Sequence, residues 1–238
     1  MSLVVCTYLW SAAPSGEHAY TPDDVHLLQR MVVRHLTVPH EFAVITDRPE
    51  LFAADTAIRA IPLIRRTQAP TGHCLERLMT FHPEGRTLIG ERIFQMDLDT
   101  IPVGNMDAIV NRPEDVVLWR NPARVPWDKP SRPSRPLYNG SFVLHRGGTM
   151  PWVWESFDPA HPAARDDQTW YSFLFGPEAP YWDENHGVYR LAREDTPGSG
   201  VDGDLPENAR LVTFPGSEGK PNDPRVRARC PWIAVHRC

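Results

Sequence analysis

Arg92-Ile93-Phe94-Gln95-Met96-Asp97-Leu98-Asp99-Thr100 is the stretch whose reading decides this chain. Successive side chains of a strand alternate between its faces, so Phe94, Met96 and Leu98 share one face and Gln95, Asp97 and Asp99 the other. Two carboxylates then emerge side by side at the end of an apolar run, where burial demands a partner for each charge. A divalent cation, Mn2+ or Mg2+, is a natural partner, because hard ions take oxygen ligands and are commonly held by one or two carboxylates together with a substrate phosphate. The alternative is that one acid caps a following turn while the other is solvated.

Upstream, residues 3–10 form a nearly continuous apolar run rich in β-formers, the pattern of a strand covered on both faces. Thr21-Pro22-Asp23-Asp24 marks a helix start, with a capping hydroxyl, a proline in the first turn and two acids at the positive end of the dipole. Val25, Leu28, Val32 and Leu36 continue at helical spacing, and the helix should end near His35. Residues 41–46 supply a second strand and 57–63 a third. A helix is expected over 71–81, capped by Thr71, with Cys74, Leu75, Leu78 and Met79 inward. Strand, helix, strand is the right-handed parallel unit, and such sheets bind ligands at the carboxyl ends of their strands. Thr7, Tyr8, Asp47, Asp97 and Asp99 all fall at such ends.

Downstream the pattern is less regular. Strands are expected at 116–119 and 137–145, the second interrupted at Asn139-Gly140, where glycine lets another group approach the backbone. Helices are expected at 150–157 and 167–175, and a last strand at 211–214. The 25 prolines and 15 glycines fall mostly between these segments, as long shaped loops on a scaffold require. With 238 residues and no internal repeat or long linker, the chain is expected to form a single domain over 1–238, with halves 1–99 and 100–238.

The formal net charge of -5 argues against a nucleic-acid polymer as partner. No apolar run is long enough to cross a membrane and no signal pattern opens the chain, so a soluble, cytoplasmic protein is expected. Cys6, Cys74, Cys230 and Cys238 lack zinc-site spacing, and Cys6 and Cys74 read as buried thiols. The literal G-x-G-x-x-G at 198–203 follows Pro197 rather than a strand and reads as a loop. Walker A, H-E-x-x-H and G-x-S-x-G are absent. Arg225, Arg227, Arg229 and Arg237 read as a solvated basic tail. Trp119, Trp127 and Trp182 either stack on the flat face of a ligand or, as is the default for large aromatics, fill the core.

The order of these parts is similar to that of the GT-A glycosyltransferases, above all the family 8 nucleotide-sugar transferases and their bacterial relatives. The resemblance is carried by Phe94-Gln95-Met96-Asp97-Leu98-Asp99, then Tyr138-Asn139-Gly140-Ser141-Phe142, then Asp167-Gln168, then Phe214-Pro215-Gly216 through Lys220-Pro221. It spans the chain from Leu3 to about Trp232. It implies an α/β, Rossmann-like, mostly parallel central sheet flanked by helices, with a less regular acceptor half.

The resemblance also implies roles. Asp97 and Asp99 would hold Mn2+ on the diphosphate of a nucleotide-sugar donor, a UDP-sugar above all. Thr7, Tyr8 and Asp47 would surround the nucleoside. Asn139, Gly140 and Ser141 would line the sugar and the glycan or small-molecule acceptor. Asp167-Gln168 would sit by the anomeric carbon as the catalytic pair, and retention of configuration is implied. Gly216 and Lys220 would close over the diphosphate. Apart from the resemblance, Arg77 is placed either to reach a phosphate from its helix or to form a surface salt bridge. Where such families often place a metal-binding histidine, this chain has Pro215, which leaves the third ligand to another group or to water. A sugar nucleotidyltransferase and a non-catalytic nucleotide- or carbohydrate-binding module are the alternatives; the first should need a basic glycine-rich loop after the first strand, and residues 11–20 hold no lysine or arginine.

Overall fold

The computed structural model describes residues 2–10, 20–65, 73–121, 136–192, 200–214 and 219–238. Its frame is a seven-stranded sheet in the order β3-β2-β1-β4-β7-β6-β8, with β1 at Leu3–Leu9, β2 at His40–Thr46, β3 at Arg59–Pro62, β4 at Arg92–Met96, β6 at Val116–Arg120, β7 at Tyr138–Arg146 and β8 at Tyr181–Trp182. A small second sheet joins β5 (Ile101–Pro102), β10 (Leu211–Thr213) and β9 (Val188–Arg190) in the order β5-β10-β9. β1 pairs parallel with both β2 and β4, whereas β7 runs antiparallel to β4 and β6. The sheet is therefore wound outward in two directions from β1, and the gap between the ends of β1 and β4 is the topological switch point where open α/β sheets bind ligands.

Alternation sorts the core into two layers. Leu3, Val5 and Leu9 face one side with Phe94 and Phe142, under the helix Pro22–His35, which inserts Val25, Leu28, Met31 and Val32. Val4, Cys6 and Ile93 face the other, under Leu75, Leu78, Met79, Trp170 and Tyr171. Each such fully buried aliphatic or aromatic side chain contributes about 1.5–3 kcal/mol by leaving water. The first helix starts where its sequence says, with Thr21 and Asp24 forming a reciprocal capping box. Trp119 and Trp182 are core residues, packed by Phe142 and Phe94 respectively; Trp127 lies outside the described residues.

Three expectations need correction. Residues 73–81 form a 3₁₀ helix, not an α-helix, and the expected Thr71 cap lies outside the described residues. Strand β7 is not interrupted at Asn139-Gly140; the irregularity falls in its pairing with β6, where Leu118 meets Val143 but Trp119 meets Asn139, so residues 140–142 bulge away from β6 while β4 still pairs with Phe142 and Val143. Of the arginines near the C-terminus, Arg225 and Arg227 are exposed as expected, whereas Arg229 and Arg237 are partly or largely covered and paired. Arg237 lies 3.3 Å from Asp24, Arg229 3.0 Å from Asp202 and Arg225 2.9 Å from Asp223, while Arg227 donates to the Pro221 carbonyl. Arg237 ties the end of the helices Pro224–Arg229 and Trp232–His236 to Asp24 of the first helix. All four cysteines are free thiols; Cys6 is buried and Cys74 half-buried.

His145, on β7, is fully buried, stacked on Phe81 with ring centroids 4.1 Å apart, and its Nε2 has no hydrogen-bond partner. Burial pushes its pKa down to about 3 from an ordinary 6.5. The unfolded chain therefore binds the extra proton first, and stability that is complete above pH 6.5 drains away as the pH falls toward 3. By about pH 5 this one group should cost the wild type about 2 kcal/mol relative to His145→Gln. Denaturant titrations of both proteins across that range check it; parallel pH profiles would remove His145 as the cause.

Candidate active site

Strand β4 ends at Met96, one residue before the first acid, so Asp97 and Asp99 are not presented by strand alternation. They sit in a turn closed by the Thr100 N–H on the Asp97 carbonyl at 3.1 Å, and the Asp97 N–H is tied to the Ser141 carbonyl of β7 at 3.1 Å. The turn still brings both carboxylates to the switch point, but each meets a different cation.

Arg77, on the 3₁₀ helix, reaches Asp97 Oδ1 at 2.5 Å with one guanidinium nitrogen and Asp167 Oδ2 at 3.0 Å with another. Asp167 is fully buried. It is the first residue of the helix Asp167–Phe175, and the capping work falls to its neighbour Asp166, whose Oδ1 accepts the Thr169 N–H at 2.7 Å. That division leaves the Asp167 side chain free for Arg77 and for the Gln168 N–H, which donates to its Oδ1 at 3.0 Å. Burial, opposed by Arg77, raises the Asp167 pKa; burial, again opposed by Arg77 but reinforced by Asp99, pushes Asp97 up to about 6, while Ser141 hydrogen-bonds the Asp97 carboxylate.

Asp99 faces Lys220 and Tyr20. The Lys220 ammonium and the Tyr20 hydroxyl both donate to Asp99 Oδ2, the latter at 3.3 Å, whereas Asp99 Oδ1 is buried with no hydrogen-bond partner among the described residues. Burial, with Asp99 and Asp97 adding to it, drives the Tyr20 pKa up, so that hydroxyl keeps its proton and acts as a donor.

Gly140 lies against this cluster, on the bulged part of β7. A Cβ added there would lie 1.9 Å from Asp167 Oδ2, so the missing side chain is what admits the carboxylate. Asn139 accepts the Ser141 N–H at 2.8 Å and so shapes the bulge. Beneath it Gln95 accepts from the hydroxyls of Tyr8 at 2.9 Å and Thr80 at 3.2 Å, and donates to the Gly140 carbonyl at 3.4 Å. The Tyr8 hydroxyl also lies 3.2 Å from the Arg77 carbonyl, so it supports the segment that carries the guanidinium.

The structure thus gathers Arg77, Asp97, Asp99, Gly140, Ser141, Asp167 and Lys220, with Gln168 and Asn139 at the margin. Thr7, one residue before Tyr8, points to the opposite face of β1, where its hydroxyl is buried without a partner among the described residues. Asp47 stands past the end of β2, 3.1 Å from Arg65. Gly216 lies outside the described residues, as does Pro215. Sequence reasoning missed Tyr20, a loop residue without a motif, and Gln95, which strand alternation did place on the same face as the acids.

The donor set suits a hard divalent ion that keeps substrate and water ligands. Asp97 and Asp99 supply carboxylate oxygens, and the unpartnered Asp99 Oδ1 is an acceptor in want of a cation. Among the described residues no third His, Cys, Asp or Glu joins them in a metal-holding group. Two carboxylates with a phosphate are enough for Mg2+ or Mn2+.

No family model matches the chain, and no curated protein sequence does. Solved structures do. A galactosyltransferase, LgtC, in complex with donor and acceptor sugar analogs matches with a TM-score of 0.56 at 10% identity, over 100% of this chain and 97% of that one. This is a GT-A fold. An active-site mutant of LgtC matches the GT-A frame with a TM-score of 0.55 at 11% identity, over 99% of this chain and 95% of that one. The apo form of the glycosyltransferase GlyE of Streptococcus pneumoniae TIGR4 does so with a TM-score of 0.57 at 11% identity, over 94% of this chain; the chain spans 57% of GlyE. No helix among the described residues is long and apolar enough to cross a membrane.

Proposed function

We propose that this chain is a glycosyltransferase that moves a hexosyl group from a nucleoside-diphosphate sugar, a UDP-sugar, to a glycan or small-molecule acceptor with retention of configuration. The observation that carries the reading is the convergence of Asp97, Asp99 and Asp167 with Arg77 and Lys220 at the switch point of a GT-A sheet. Glycosyl transfer expels a nucleoside diphosphate, and it needs positive charge at the leaving oxygen and negative charge at the anomeric carbon. Such a site has both.

Asp97 and Asp99 would hold Mn2+ or Mg2+, which when bound offsets the charge of the departing diphosphate. Lys220 adds a cation on the same side. Arg77 fixes the Asp167 carboxylate and opposes the burial that raises its pKa, which favours the charged form that can stabilise positive charge at the sugar carbon. Gly140 admits the Asp167 carboxylate, so the bulge and the Asp167-Gln168 helix start would together wall the sugar. Four free cysteines suit a reducing compartment, and we place the enzyme in the cytoplasm.

Calorimetry with UDP and Mn2+ tests the donor site. Wild type should bind the pair, and Asp97→Ala with Asp99→Ala should bind it at least roughly a hundredfold more weakly, by loss of two charged ligands. Equal affinities would sink the reading. A panel of nucleotide sugars, assayed for acceptor-free hydrolysis, identifies the donor.

A further inference from the structure

Lys220 sits where the ion itself would be expected to act. Its ammonium contacts Asp99 Oδ2, and its other contact among the described residues is a longer one to the Phe214 carbonyl at 3.4 Å. Asp99 is therefore what seats this lysine. Gly219, just before it, has φ of +80°, a backbone state that glycine enters without strain. Arg77 already serves Asp97. A divalent ion chelated by both aspartates must then share Asp99 with an ammonium in contact, and like charges at that range repel. A diphosphate changes the balance, because it offers the ammonium a competing anion on a long flexible stem.

We propose that Lys220 is a tethered counter-cation that occupies the Asp99 carboxylate until a diphosphate draws it away, so that divalent metal and nucleoside diphosphate bind as a coupled pair. The proposal rests on the donor-site reading above. By linkage the coupling is reciprocal: whatever the diphosphate does for the metal, the metal does for the diphosphate. Metal alone meets a carboxylate whose Oδ2 already carries an ammonium, which repels it even at the open Oδ1, and diphosphate alone meets a lysine held by an acid. The pair together satisfies every charge.

The test follows free Mn2+ by electron paramagnetic resonance during titration of the full chain, with and without saturating UDP, for wild type, Lys220→Met and Lys220→Arg. Without UDP, Lys220→Met should bind Mn2+ roughly tenfold more tightly than wild type, while Lys220→Arg, which keeps the cation, stays near wild type. UDP should then tighten Mn2+ in wild type by about tenfold more than it does in Lys220→Met. Equal Mn2+ affinity of wild type and Lys220→Met without UDP, with the UDP and Mn2+ pair still bound by both, overturns the lysine device and leaves the donor site standing. Absence of Mn2+ and UDP binding in all three proteins overturns the donor site and this proposal with it.

Discussion

Replacing Arg77 by methionine is expected to lower the unfolding free energy by about 3–5 kcal/mol at neutral pH, because removing one partner of a buried ion pair strands the charges it served. Two carboxylates depend on this guanidinium, and Asp167 is wholly buried. Asp97 already has its pKa pushed up to about 6 by burial against the pull of Arg77. Without that pull, both acids hold their protons to still higher pH in the folded state. A folded pKa above the unfolded one gives stability that is complete below the unfolded value and lost as pH rises, so the Arg77→Met deficit should shrink as the pH is lowered through 6 toward 4. Adding Asp97→Asn and Asp167→Asn to Arg77→Met should recover much of the loss, since the amides carry no charge to strand. Denaturant titrations at two pH values check both points. An Arg77→Met protein as stable as wild type at neutral pH would show that the guanidinium is dispensable to the fold.

Gly140→Ala should reduce turnover by at least roughly a hundredfold, the penalty that a displacement of about 1 Å at a reacting group can carry. The added methyl would lie 1.9 Å from Asp167 Oδ2 and 2.6 Å from its Cγ, so the carboxylate or the strand has to yield. The carboxylate is held by Arg77 and the Gln168 N–H, and the strand is paired on its other edge with β4. Neither is soft. The cost in stability should be about 1–3 kcal/mol, typical of overpacking. Donor hydrolysis measured beside thermal unfolding separates the two effects. A variant with turnover within threefold of wild type would mean that the position of Asp167 does not matter to the reaction.

The two predictions differ in how far the sequence could have foreseen them. Gly140 was legible: a glycine inside an apolar strand signals close approach of another group, and here that group is Asp167. Arg77 was not. A lone arginine in an apolar-periodic segment reads equally as a phosphate ligand or a surface ion pair, and nothing local says that it bridges two acids in the interior. The adjacent pair Asp166-Asp167 shows the same limit at finer scale. Either residue could cap the helix, and only the fold shows that Asp166 does so while Asp167 turns inward to Arg77. The acids at 97 and 99 were found for a partly wrong reason, since a turn rather than strand alternation sets them side by side.

By itself the sequence determined strands β1 to β4, β6, β7 and β10 and the capped first helix, though not the short β5, β8 and β9, because periodicity, capping and turn chemistry act over a few residues. Tertiary structure alone decided which charge meets which: Arg77 finds Asp167 across 90 positions and Lys220 finds Asp99 across 121. Such partners are chosen by where the sheet brings the chain back, and a buried charge takes whatever counter-charge the fold delivers there.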